Sequence, residues 1–208
     1  MFTKSVAVHG GIITNDGRDN LVGQSHKEAL EIQIREAYGR LVYTYTTHLK
    51  QAEQLTNKNQ GIKHWQIILS AVTTGGILTA VISDQTVLSW ISAIVSTALL
   101  SLNLYIKDFN LADDIRRHRS TSDDLWIIRE KYLSLLTDFD TLSEQEIVSI
   151  RDKLQEQTAK IYKSAPKTNA KSYMAAQKAL KEDEEQFFRS SEIDQMLPEH
   201  LRKGTPEN

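Results

Sequence analysis

Between residues 65 and 106 the chain carries a single formal charge, Asp84, flanked by Ser83, Gln85 and Thr86. A helix needs an apolar run of about 18 to 25 residues to cross the hydrocarbon core of a bilayer, and two such runs stand back to back here. They predict membrane spans over 65–82 and 87–106, about 27 and 30 Å long at 1.5 Å rise per residue. Whole-chain composition hides this, because 25 Lys and Arg against 27 Asp and Glu, with a net charge of -2, resemble an ordinary soluble domain. The mean is the sum of a greasy block and two wet flanks.

Lys50, Lys58 and Lys63 precede the spans, Lys107, Arg116, Arg117 and Arg119 follow them, and the turn has no cation. By the positive-inside rule both termini are expected to be cytoplasmic. Trp65, Trp90 and Tyr105 fall near span ends, where amphipathic rings favour the headgroup zone. Roughly 60 residues of polar chain lie ahead of the first span, an arrangement unlike a signal peptide. A buried hairpin in a soluble bundle is the competing reading, but a bundle helix normally keeps a polar stripe for solvent, and charge is missing from every face here.

Small residues recur every fourth position: Ala71, Gly75, Thr79 and Ser83 in the first span, Ser89, Ala93, Thr97 and Ser101 in the second. Residues four apart share a helix face, so each span carries a stripe that lets another backbone approach closely. The stripes serve either packing within one hairpin or association between copies. Ser92 and Ser96 form a second hydroxyl row, and Asn103 lies near the inner end. In an oligomer these polar groups are candidates to line a wet path.

The flanks read as helical stalks. Ser25 with Glu28 marks a capping-box start, and Leu30, Ile34, Ala37, Leu41, Tyr45, His48, Ala52 and Leu55 follow at spacings of three and four. Residues 57–61, Asn-Lys-Asn-Gln-Gly, are expected to break or bend that helix. Beyond the membrane, Leu111, Ile115, His118, Ser122, Leu125, Tyr132, Leu136 and Phe139 continue a similar seam with no evident breaker after the second span. A third helix is predicted from the Ser143/Glu146 capping box to Pro166, another over 169–189, and a short one between Ser191 and Pro198. Residues 1–24 form a loose segment or small hairpin around Asn15-Asp16-Gly17. The expected organisation is therefore 1–24, a two-span domain over 25–163, and a helical tail over 164–208. The fold class is an all-α membrane protein: a two-helix transmembrane hairpin with long cytosolic stalks and a C-terminal helical tail.

Catalytic chemistry finds no foothold. The chain has no cysteine, and its six histidines follow no metal-ligand spacing. Asp113/Asp114 and Asp123/Asp124 lie among arginines and read as salt-bridged faces, while Gly10-Gly11 and Gly75-Gly76 lack the residues of a phosphate loop. No enzyme, cofactor or metal is expected. Arg116, Arg117 and Arg119 admit two readings, topogenic charge paired with nearby acids or a grip on phosphate in a lipid headgroup or other ligand. Direct nucleic-acid binding is not expected.

The order of a cytosolic helix, two spans rich in Ser, Ala and Thr, and a long helix carrying Asn110-Leu111-Ala112-Asp113 and Leu125-Trp126-Ile127-Ile128-Arg129-Glu130-Lys131-Tyr132-Leu133 resembles the bacterial SLATT family. Those proteins are two-transmembrane effectors associated with SMODS nucleotidyltransferases and SLOG sensors. The resemblance covers about residues 25–162, and the stretch from Pro166 to Arg202 is similar to C-terminal extensions in one branch. It implies an antiphage effector that forms a pore in, or disrupts, the inner membrane when a neighbouring sensor is activated, often a second-messenger synthase and in some systems a reverse transcriptase. Two helices enclose no lumen, so a pore requires several copies. A non-conducting membrane anchor that docks a cytosolic partner is the alternative.

Overall fold

The computed structural model describes residues 15–83, 86–186 and 188–202, and every regular element among them is a helix. In order these are α1 (Asn15–Ser83), α2 (Thr86–Asp108), α3 (Leu111–Thr137), α4 (Glu144–Ser164), α5 (Ala170–Lys181) and α6 (Ser190–Met196), then a 3-10 turn (Glu199–Leu201). Residues 1–14 and the stretch at Asp84-Gln85, where the sequence places a turn, lie outside the described residues.

The chain divides into two compact units. The first combines α1 up to Val42 with α3 from Leu125 onward and α4. Leu30, Ile34, Ala37 and Leu41 are buried on α1, Leu125, Ile128, Tyr132 and Leu135 on α3, and Ile147 and Leu154 on α4. Their three- and four-residue spacing puts one apolar stripe on each helix, and a buried aliphatic side chain contributes about 1.5 to 3 kcal/mol. Polar contacts fix the register: Arg129 donates to the Tyr38 hydroxyl at 3.1 Å, Arg151 to Gln33 at 3.0 Å, and His26 pairs with Glu144. The predicted capping box is present, Ser143 accepting from the Glu146 N–H at 3.4 Å while its own N–H reaches the Glu146 carboxylate at 2.9 Å.

The second unit holds α1 from Tyr43, α2, α3 up to Asp124, and the chain from Ser164 onward. Here α3 meets α1 through the Ser122 hydroxyl, which donates to the Tyr45 carbonyl at 3.1 Å. The N-terminus of α5 is closed by the Asn169 side chain, which accepts from Ser172 N–H at 2.8 Å, and α5 buries Ser172, Ala176, Ala179 and Leu180.

Five sequence expectations change. Residues 57–61 do not break α1, which runs through them. Asn and Gly cost under about 1 kcal/mol each in a helix interior, and Lys58 is tied to α2 by a 2.8 Å hydrogen bond to the Tyr105 hydroxyl. Asn15-Asp16-Gly17 is the first turn of α1 rather than a hairpin turn, and Ser25 is accordingly inside the helix. The second span and its stalk are separated at Phe109-Asn110, and the Asn110 side chain accepts from Asp113 N–H at 3.2 Å to start α3. On α3 the seam buries Leu135, whereas Leu136 is only half-buried. The helix expected over 169–189 ends at Lys181, because Glu184 and Gln186 adopt positive φ values of 49° and 81° that turn the chain.

Candidate functional site

The apolar part of the second unit is built from α2 and the α1 residues alongside it. Gln66 donates to Asn103 at 2.9 Å, and farther along, an added Cβ on Gly76 would come within 2.7 Å of the Ser92 hydroxyl. Ser92 is 8% exposed, so it belongs to this helix contact rather than to an open surface. Ser96 is half-buried, whereas Gly75, Thr79, Ser89, Ala93, Thr97 and Ser101 are exposed. The side chain of Ser83 lies outside the described residues. Both small-residue stripes therefore face away from the α1–α2 contact.

Three hydroxyls on these stripes are satisfied within their own helix. Thr79 donates to the Gly75 carbonyl at 2.8 Å, Thr97 to Ala93 at 2.9 Å and Ser101 to Thr97 at 2.9 Å. A hydroxyl bonded one turn back loses little in hydrocarbon yet can still accept from water. Such a face is compatible with lipid, a second helix or a wet channel.

Among the described residues one stretch, Thr86–Thr137, is long and apolar enough to cross a membrane, and only 6% of its most apolar window is buried. The break before α3 confines that window's apolar length to α2. Trp90 and Ile94 stand 69% and 70% exposed, which excludes a core-helix role within this chain. A family model for the SMODS and SLOG-associating 2TM effector domain family 4 matches residues 30–192. The chain belongs to this SLATT family. Membership implies a two-transmembrane effector of bacterial conflict systems, and the family is one of effector domains rather than a known enzyme family. No curated protein and no solved structure matches the chain.

On α3 of this SLATT protein the three arginines diverge. Arg116 pairs with Asp113, Arg117 lies near His118, and Arg119 lines a cleft of about 330 Å³ with Thr46, Lys50, Glu53, Thr56 and Glu185. Lys50 holds Glu185 at 2.8 Å and Glu53 at 4.0 Å.

The histidines scattered in sequence also converge. His48 of α1 and His118 of α3 are both 3% exposed, with their Nδ1 atoms 2.9 Å apart, so one ring donates and the other accepts. Burial, reinforced by the neighbouring His118, lowers the His48 pKa to about 4. Burial also lowers His118, with Asp114 opposing the shift and Arg117 adding to it. The pair is a neutral contact at neutral pH. Both residues occupy core positions of the apolar seams in the sequence, but no spacing there pairs them.

Proposed function

We propose that this SLATT protein is the membrane effector of a bacterial antiphage system, acting without catalysis by oligomerising into a pore in the inner membrane. In this reading residues 65–82 of α1 and the apolar part of α2 form a transmembrane hairpin, with both termini, the stalks and the C-terminal tail in the cytoplasm. Activation of a partner sensor, a nucleotidyltransferase-type second-messenger system or a reverse transcriptase encoded nearby, shifts subunits into the conducting assembly. The observation that carries the reading is the uncovered apolar surface of α2, bearing the exposed row Ser89, Ala93, Thr97 and Ser101. That row gives helices from other copies a close approach and gives water a hydroxyl surface.

The purified protein in dye-loaded liposomes is expected to release dye. The Ala93→Leu/Thr97→Leu double variant, which fills the stripe, should lower release by about tenfold or more, since close helix approach is what small residues permit. Unchanged release in that variant would remove the stripe as the pore contact. No release from the wild type under any activating condition would favour the non-conducting anchor.

A further inference from the structure

The cleft beneath the spans has an unusual charge arrangement. Its two cations come from different helices, Lys50 from α1 and Arg119 from α3, and line one cavity of about 330 Å³. Arg119 makes no ion pair among the described residues, while Lys50, whose side chain is 21% exposed, is capped by the Glu185 carboxylate at 2.8 Å. Glu185 arrives on a costly turn. The residues on either side of it, Glu184 and Gln186, have positive φ, a backbone region that side chains with a Cβ rarely occupy. Gln186 donates to the Thr46 hydroxyl at 3.1 Å, yet its own Oε1 is buried and finds no hydrogen-bond partner among the described residues. A strained turn thus delivers one carboxylate into a two-cation cleft and holds α5 along α1, where Tyr43 and Tyr173 stack with ring centroids 6.2 Å apart.

We propose that Lys50 and Arg119 form a site for the phosphate group of a soluble ligand, that Glu185 occupies this site as a stand-in carboxylate, and that filling it releases the C-terminal segment from α1. A guanidinium fork and an ammonium suit a phosphate group, and a dianion has the charge advantage over a single carboxylate in the same place. Glu53, more exposed than Glu185 and 4.0 Å from Lys50, repels the incoming anion less because solvent screens it. The choice of a soluble ligand rests on the membrane reading above. Thr56 and Lys50 lie nine and fifteen residues before Trp65, roughly 13 and 22 Å along the helix axis, beyond the depth of ordinary headgroups.

The test uses the full chain in detergent micelles, with inorganic pyrophosphate titrated in by calorimetry and amide hydrogen exchange followed over residues 170–186. Wild type should bind, with exchange in that segment rising on saturation. Glu185→Gln should bind about tenfold tighter, a change of about 1.4 kcal/mol. Arg119→Gln should lose binding and Arg119→Lys should recover part of it. Equal affinity in wild type and Arg119→Gln, or no gain in Glu185→Gln, would overturn the site; binding without increased exchange would overturn the release. Phosphatidylcholine vesicles containing phosphatidic acid form the second arm, and capture by them without pyrophosphate binding would assign the phosphate to a lipid and overturn the soluble ligand. Because none of these readouts needs conduction, a chain that binds pyrophosphate but never leaks dye would refute the pore and leave the site standing.

Discussion

The seam of α1 and the surface of α2 contain the same aliphatic residue types and meet opposite fates. Leu30, Ile34 and Leu41 are at most 3% exposed, whereas Val87, Trp90 and Ile94 are all near 70%. The difference is one of solvent. In the first unit apolar stripes alternate with charge, and burying them against neighbouring helices satisfies the hydrophobic effect in water. On α2 the apolar residues run around the helix, two helices cannot cover them, and a lipid phase makes covering them unnecessary. Packing specificity therefore resides in the stalks, while α2 keeps an uncovered apolar surface.

The sharpest way to break this comparison is to place the same kind of damage in both regions. Ile34→Ala should cost about 2 to 5 kcal/mol of stalk stability, because it leaves a cavity at a fully buried site. Thermal or denaturant unfolding followed by circular dichroism checks this, and a loss below 1 kcal/mol would mean that the seam is not a packed core. Ile94→Arg should leave stalk unfolding almost unchanged but disfavour insertion by about 2.5 to 3.5 kcal/mol. Membrane retention after carbonate washing is the readout, and full retention would place position 94 away from the hydrocarbon.

The smallest expected effect concerns the histidine pair. Its imidazoles are held neutral in the fold, with His48 lowered from 6.5 to about 4, so the unfolded chain takes up protons first as the pH drops. Stability from the pair is fully present above pH 6.5 and declines as the pH falls from there toward 4. The melting temperature of the detergent-solubilised protein should decrease across that window, and His48→Gln should flatten the decrease. An identical pH profile in the variant would show that the pair does not titrate as the geometry implies.

Much of this was legible in the sequence because it depends on local pattern. Leu30, Ile34, Ala37, Leu41, Tyr45, His48 and Ala52 are all buried, as a seam at spacings of three and four requires. Ser143 and Glu146, Asn169 and Pro166 mark helix ends whose chemistry lies within three residues. What escaped depends on residues distant along the chain. Asn57 to Gly61 looked like a breaker because their propensity is poor, and the Lys58–Tyr105 contact that helps hold the helix across them comes from a residue far along the chain. The His48–His118 pair and the Lys50–Glu185 contact likewise join positions separated by 70 and 135 residues, which no spacing rule reaches. Of the membrane candidates, the pattern found the small-residue stripes. It did not say which face each would present, and Ser92 turned inward against Gly76.

The central claim is that the chain enters the bilayer after its N-terminal stalk and returns. Because the natural sequence has no cysteine, Asp84→Cys and Glu182→Cys each introduce one clean reporter. A membrane-impermeant maleimide applied to cells with a permeabilised outer membrane should label position 84 directly and position 182 only after the inner membrane is opened. Label at position 182 first, or at neither position until the inner membrane is opened, would contradict the hairpin.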